Sequence, residues 1–284
     1  MGEGAEAVEV VVGPDEVDLA SGLLWGAGVT AVAEHADGEA GGRVRLRADL
    51  PPGGVAAARA AVGDRWPVTV VAIADDGLDA WRAHATVVAV GRRLVIRPPW
   101  VPLGLVAPDA VVLEIDPGPT FGHGAHPTTR LCLAVVEEQL DRRSAATVLD
   151  VGSGSGVLAV AAARSGASRV VAVDVDPAAV EATRSNAARN GVAPLVAARV
   201  VPGEGAPDPL GAAPGPFALV VANIGAAALV ALAPHLAARL APGGTLVVSG
   251  LLDPPPPEVA AALAPLAVTA EHRLDGWTAL ALER

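Results

Sequence analysis

The hydrophobic positions of this chain follow two regimes. Over residues 1–75 they come in short runs. VEVVV (8–12), VTAVAEH (29–35), GRVRLRADL (42–50) and PVTVVAIAD (67–75) read as strands, the middle two alternating like a hairpin. DEVDLASGLLWGAG (15–28) and PPGGVAAARAAVGDRW (51–66) carry apolar residues at helical spacing. The resulting order, βαββαβ, is that of a ferredoxin-like α+β domain. Residues 76–104 read as a linker holding a short helix (79–84), the strands TVVAV and RRLVIR, and the stiffening run PPWVP. Beyond it, strands apolar on both faces (TVLDVG, RVVAVDV, VAARVV, FALVVANI, TLVVSGLL) alternate with helices such as PAAVEATRSNAARNG and AAALVALAPHLAARL. VTAEHRL and WTALALE close the chain as a reversed hairpin. Such strands belong to a parallel sheet covered on both faces. The expected fold class is therefore α/β: a doubly wound, mostly parallel seven-stranded sheet over 105–284, preceded by a small ferredoxin-like domain over 1–75. Ligands are expected at the carboxyl ends of the parallel strands.

Composition narrows the chemistry. Hydrophobic residues make up 52% of the chain and charged ones 18%, enough for a packed core. The 20 basic residues are all arginine, which excludes a lysine Schiff base and a phosphate loop ending in Gly-Lys-Ser/Thr. A formal charge of -11 opposes a direct grip on nucleic acid but suits a basic protein partner. The single cysteine, Cys132, forms no internal disulfide, and the acidic N-terminus is unlike a secretory signal, so a cytoplasmic location is expected. The stretch 217–234 has only Asn223 as a polar side chain and approaches the length of a membrane span. Pro214, Pro216 and the Asn223-Ile224-Gly225 break divide it into a strand and a helix, so no membrane association is expected.

The sharpest local signal is Leu149-Asp150-Val151-Gly152-Ser153-Gly154-Ser155-Gly156, a strand running into alternate glycines that open a helix. Glycine there permits a tight turn and close approach of a ligand. A dinucleotide fingerprint requires glycine where this chain has Val157, which argues against a dehydrogenase. Twenty-two residues after Gly152, the next strand ends at Asp174, placed to accept the two hydroxyl protons of a ribose. Set against this are a turn aspartate in Asp-Val-Asp-Pro and glycines that only pack helix on strand. His123 and His126 form a metal-like pair, but no third ligand is evident and no metal is expected.

The glycine run with its acidic partner resembles the class I methyltransferases that use S-adenosylmethionine. Asp116-Pro-Gly-Pro-Thr-Phe-Gly-His-Gly-Ala-His-Pro-Thr-Thr129 is similar to the D-P-G-x-x-F-G-T-G-x-H-P-T-T loop of the PrmA family, methyltransferases of a large-subunit ribosomal protein. Val221-Ala-Asn-Ile224 and Ala241-Pro-Gly-Gly-Thr-Leu-Val-Val-Ser-Gly250 resemble the same family's V-A-N-I and P-G-G-x-L-x-x-S-G. The resemblance covers 108–284; over 1–75 only the architecture matches. It implies S-adenosylmethionine as cofactor, contacts to it from Thr129, Gly152, Gly154, Asp174 and Asn223, and a loop containing Phe121 over its methionine end. It further implies Asn223 as the catalytic residue that orients an acceptor amine, and a small domain that docks a basic ribosomal protein. Methyl transfer then goes to lysine or N-terminal amines, by a chain expected to act as a monomer. Threonine 128 or 129 as a helix cap, His126 as a residue that shapes the loop, and Asn223 as a turn-former are the plainer readings of those positions. His123, Ala125 and Gly225 depart from the family pattern where acceptor and cofactor meet. A methyltransferase of another protein or of a small molecule, or a cofactor-binding protein without catalysis, remain as alternatives.

Overall fold

The computed structural model describes residues 6–29, 31–36, 43–51, 53–72, 85–118, 120–143, 145–211, 213 and 215–284. The chain divides into two compact units, Met1–His84 and Ala85–Arg284.

The first unit contains β1 (Glu6–Val12), α1 (Val17–Gly26), β2 (Ala31–Ala36), β3 (Val44–Asp49), α2 (Val55–Val62) and β4 (Val68–Ala72). Its sheet has the order β2-β3-β1-β4 and every pairing is antiparallel. Two βαβ units interleaved in this way are the ferredoxin-like arrangement expected from the element order. Alternate residues of β1 (Val8, Val10, Val12) and β3 (Leu46, Ala48) meet Ala20 and Leu24 of α1 and Ala58 and Val62 of α2 in a closed core. The second helix is shorter than its sequence pattern, because Gly63 at φ +59 turns the chain out of it.

The second unit begins earlier than the expected boundary. Residues 79–84, read as a short helix, lie outside the described residues, but the strands read within the linker form β5 (Val88–Val90) and β6 (Leu94–Arg97) of a three-stranded sheet completed by β7 (Val111–Glu114). Leu94 and Ile96 are each 1% exposed and share a core with Leu113 and Leu133. Strands this apolar cannot stay in a solvated linker, so the second half of the expected connector is part of the larger unit. The turn between β5 and β6 is fastened by Glu137, a buried carboxylate of α3 (Pro127–Arg142) that accepts the N–H groups of Arg92 and Arg93 at 2.6 and 3.0 Å.

The main sheet has the order β10-β9-β8-β11-β12-β14-β13, built from β8 (Thr147–Val151), β9 (Arg169–Asp174), β10 (Val196–Val200), β11 (Phe217–Asn223), β12 (Leu240–Leu252), β13 (Ala267–Leu274) and β14 (Trp277–Glu283). β8 to β12 are parallel, and β14 is antiparallel to both neighbours. One face is packed by α3, α4 (Val157–Arg164) and α5 (Pro177–Arg189), the other by α6 (Ala226–Ala238) and α7 (Pro257–Ala262). The strand order reverses beside β8, which opens a crevice between the carboxyl ends of β8 and β11. The apolar stretch 217–234 is a strand and a helix parted at Asn223, and among the described residues no helix is long and apolar enough to cross a membrane. Within the proline-rich stretch 202–216, which its composition marks as flexible, residues 208–211 are tethered. Leu210 is 1% exposed in the core, and Arg239 donates to Asp208 Oδ1 at 3.0 Å and to the Gly211 carbonyl at 2.7 Å.

Candidate active site

Three of the glycines after β8, Gly152, Gly154 and Gly156, take φ values of +74, +51 and +78, a conformation that L side chains resist. Two close approaches reinforce the requirement. A Cβ on Gly154 would stand 2.6 Å from the Phe121 carbonyl oxygen, and one on Gly152 would stand 2.4 Å from Ile224 Cγ2. Every backbone N–H of the turn is used internally. Gly152 and Ser153 donate to the Val173 carbonyl at 2.9 and 3.1 Å, Ser155 to that of Phe121 at 2.9 Å, and Gly156 to that of Ser153 at 2.7 Å. Gly154 donates to Asp174 Oδ2 at 2.9 Å. A phosphate-binding turn leaves such groups open; this one presents none to an anion.

Asp174 ends β9 half-buried, and its other oxygen, Oδ1, accepts the N–H of Asp176 at 3.0 Å. Each oxygen thus carries one backbone donor and keeps a lone pair for another, the acceptor pattern a vicinal diol needs. Beneath the turn lies Asp150, which is fully buried. Its Oδ2 accepts the N–H of Ala159 at 3.1 Å and caps α4 from within, while Oδ1 has no partner. Burial, followed by the nearby Asp174 charge, pushes its carboxyl up to about 7. Cys132 is buried on the same side of the sheet, and burial pushes its thiol up to about 12, which rules it out as a nucleophile.

Across the crevice, Asn223 closes β11 opposite Ser249 of β12. Its amide nitrogen donates to Thr129 Oγ1 at 3.5 Å, and among the described residues its Oδ1 has no partner. Thr129 is fully buried on α3. The cap of α3 is His126 and neither threonine. Its Nδ1 accepts the Thr128 N–H at 3.3 Å and stands 2.7 Å from Thr128 Oγ1. A ring nitrogen that accepts an N–H carries no proton, so the hydroxyl donates to it and the ring proton sits on Nε2. Burial, followed by the charge of His123, pushes the His126 ring down to about 4, so it is neutral near pH 7.

The loop between β7 and α3 is held over the glycine turn by α5. Asn186 donates to the carbonyls of Asp116 and Ser155 at 2.8 and 2.9 Å and accepts the Asp116 N–H at 3.0 Å. One turn along the helix, Asn190 makes the same pair with Glu114, at 2.9 and 2.7 Å. Two side-chain amides thereby stand in for a neighbouring strand along β7. The departures from the family pattern leave this arrangement intact: His123 Nδ1 accepts the Ala125 N–H within its own loop at 3.3 Å, and Gly225 is an exposed helix cap with open space around it.

Asp174 and Asn223 end β9 and β11, Gly152 and Gly154 follow β8, and Thr129 is bonded to Asn223, so the five residues named from the sequence lie at the carboxyl edge of the sheet. Two residues there carry no sequence signal of their own. Asp150 reads as an ordinary strand residue, and Trp277 as one apolar member of a terminal hairpin. The Trp277 ring lies 4.9 Å from that of His126, which lies 5.3 Å from that of Phe121.

With β14 inserted antiparallel between β12 and β13, and with the crevice beside β8 lined in this way, the larger unit is a class I S-adenosylmethionine-dependent methyltransferase. The family profile described as "Ribosomal protein L11 methyltransferase (PrmA)" matches residues 60–284. The L11 methyltransferase of Citrifermentans bemidjiense is 43% identical over 222 residues, 77% of this chain and 70% of its own length. That of Geobacter metallireducens is 47% identical over 188 residues, 66% of this chain and 58% of its own length. A crystal structure of the ribosomal protein L11 methylase of Lactobacillus delbrueckii subsp. bulgaricus superposes with a TM-score of 0.62 at 33% identity, covering 70% of this chain and 99% of that one. The chain belongs to the ribosomal protein L11 methyltransferase (PrmA) family and is a protein methyltransferase.

Proposed function

We propose that this chain moves methyl groups from S-adenosylmethionine to lysine or N-terminal amines of ribosomal protein L11, in the cytoplasm where ribosomes are assembled. The observation that carries the reading is the carboxylate of Asp174 tied to the Gly154 N–H at 2.9 Å at the end of β9, with Asn223 ending β11 two strands away beyond the strand reversal. Asp174 takes the ribose hydroxyls, Gly152 and Gly154 let the nucleoside lie close to the backbone, and Thr129 and the Phe121 loop border its methionine end. When bound, S-adenosylmethionine supplies a methyl on a sulfonium, which leaves with no electron pair as the amine nitrogen donates its own. Asn223, with its carbonyl oxygen unshared, orients the amine N–H so that the lone pair points along the line of attack. No protein base is required. The amine reaches the crevice neutral, favoured there by desolvation, and the methylated product sheds its proton to water. The formal charge of -11 draws in a basic protein substrate. Incubating the chain with S-adenosylmethionine and purified L11, followed by intact-mass measurement, is expected to show additions of one methyl mass or its multiples. Asn223→Ala is expected to slow them at least about tenfold at saturating S-adenosylmethionine. Unmodified L11 after exhaustive incubation would overturn the assignment.

A further inference from the structure

Aromatic residues are scarce in this chain, with 2 phenylalanines, 5 tryptophans and no tyrosine, yet one of each kind present packs on His126. Phe121, His126 and Trp277 form a row of rings, each neighbouring pair at an interplanar angle of 67° and with centroids 5.3 and 4.9 Å apart. Trp277 opens β14 opposite Leu252, the last residue of β12, which runs three residues past Ser249, the partner of Asn223. His126 caps the helix that carries Thr129, whose hydroxyl accepts from the Asn223 amide at 3.5 Å. At the other end of the row, the Phe121 carbonyl holds the Ser155 N–H of the glycine turn. The row therefore links the glycine turn, the entry of α3 and the start of β14.

We propose that Trp277, braced edge-on by His126, is a specificity-determining residue for the acceptor: its indole is the wall along which the aliphatic stem of an amine lies, and its face favours the positive charge the nitrogen gains as the methyl arrives. This rests on the amine-methyltransferase reading above. An alkylamine presents a long apolar stem and one polar end. Asn223 serves the polar end, and Trp277, packed on the ring of the residue that caps the Thr129 helix, serves the stem. A forming ammonium is attracted to a ring face by the ring quadrupole, most strongly by indole. The bracing ring is neutral, since Nδ1 accepts the Thr128 N–H, and so it does not repel the charge that develops beside it.

The test compares Trp277→Leu, Trp277→Phe and His126→Asn in the full chain, with purified L11 as acceptor and saturating S-adenosylmethionine. Asparagine is a good helix cap, so His126→Asn removes the bracing ring while keeping α3 capped. Trp277→Leu is expected to lower kcat/KM for L11 about tenfold, Trp277→Phe to recover most of it, and His126→Asn to fall between them. Cofactor affinity by calorimetry stays within about twofold of the parent in all three, which a merely structural role would not give. If Trp277→Leu fails to fold, His126→Asn decides. Parent-level kcat/KM in the folded variants, or loss of cofactor binding in step with turnover, overturns the inference. A parent chain that binds cofactor but leaves L11 unmodified overturns the activity reading, and this inference with it.

Discussion

Asp174 and Asp150 are both carboxylates at the ends of neighbouring strands, and their surroundings give them opposite tasks. Asp174 holds two backbone donors at a half-exposed strand end and stays open to a third and a fourth. Replacing Asp174 with alanine is expected to weaken S-adenosylmethionine binding at least tenfold, about 1.4 kcal/mol, in a calorimetric titration. Asp150 is sealed below it with one oxygen unpartnered, and its carboxyl stands at about 7 against an ordinary 3.8. A carboxyl raised in the folded state gives its full stability below 3.8 and loses it as pH climbs through about 7. Asp150→Asn keeps an acceptor for the Ala159 N–H and removes the titration. The variant is expected to melt with the parent near about pH 4 and higher by roughly 3 °C or more near about pH 8. Asp174 was legible in the sequence because an acid at the end of the strand that follows a glycine run sits where a parallel sheet meets a ribose. The special state of Asp150 was not, because it arises from burial and from a neighbouring charge that only the fold brings close.

Among the elements, the long parallel strands were readable because they are apolar on both faces. β7 was not: with four residues it shows no period, and its free edge is completed by side chains rather than by another strand. Asn186 and Asn190 supply that edge from α5, where the sequence SNAARN gives no hint of strand-like pairing. Asn186→Ala leaves backbone groups of Asp116 without partners. It is expected to cost about 1–3 kcal/mol in urea unfolding and to weaken cofactor binding through the loosened loop. The β5–β6 hairpin was visible as strands but assigned to a linker, because its partner β7 and its anchor Glu137 lie far along the chain. The aromatic row escaped for the same reason, since Trp277 stands more than 150 residues from Phe121.

For the molecule as a whole, each unit has its own closed core, the smaller around Val10 and Leu46, the larger on both faces of the main sheet. A chain starting at Ala85 is therefore expected to fold and to bind S-adenosylmethionine within about threefold of the full chain. It is expected to leave L11 largely unmethylated in the mass assay, an outcome that tests a docking role for the small domain. The glycine turn has a consequence for life among competing metabolites. Adenine nucleotides crowd any cell, and sites that take their phosphates do so with open backbone N–H groups at a glycine turn. Here the amides that might greet those phosphates are already spoken for, and an aspartate waits where their charge would fall. A turn whose N–H groups are already bonded within the protein offers no cradle to the phosphates of ATP or NAD.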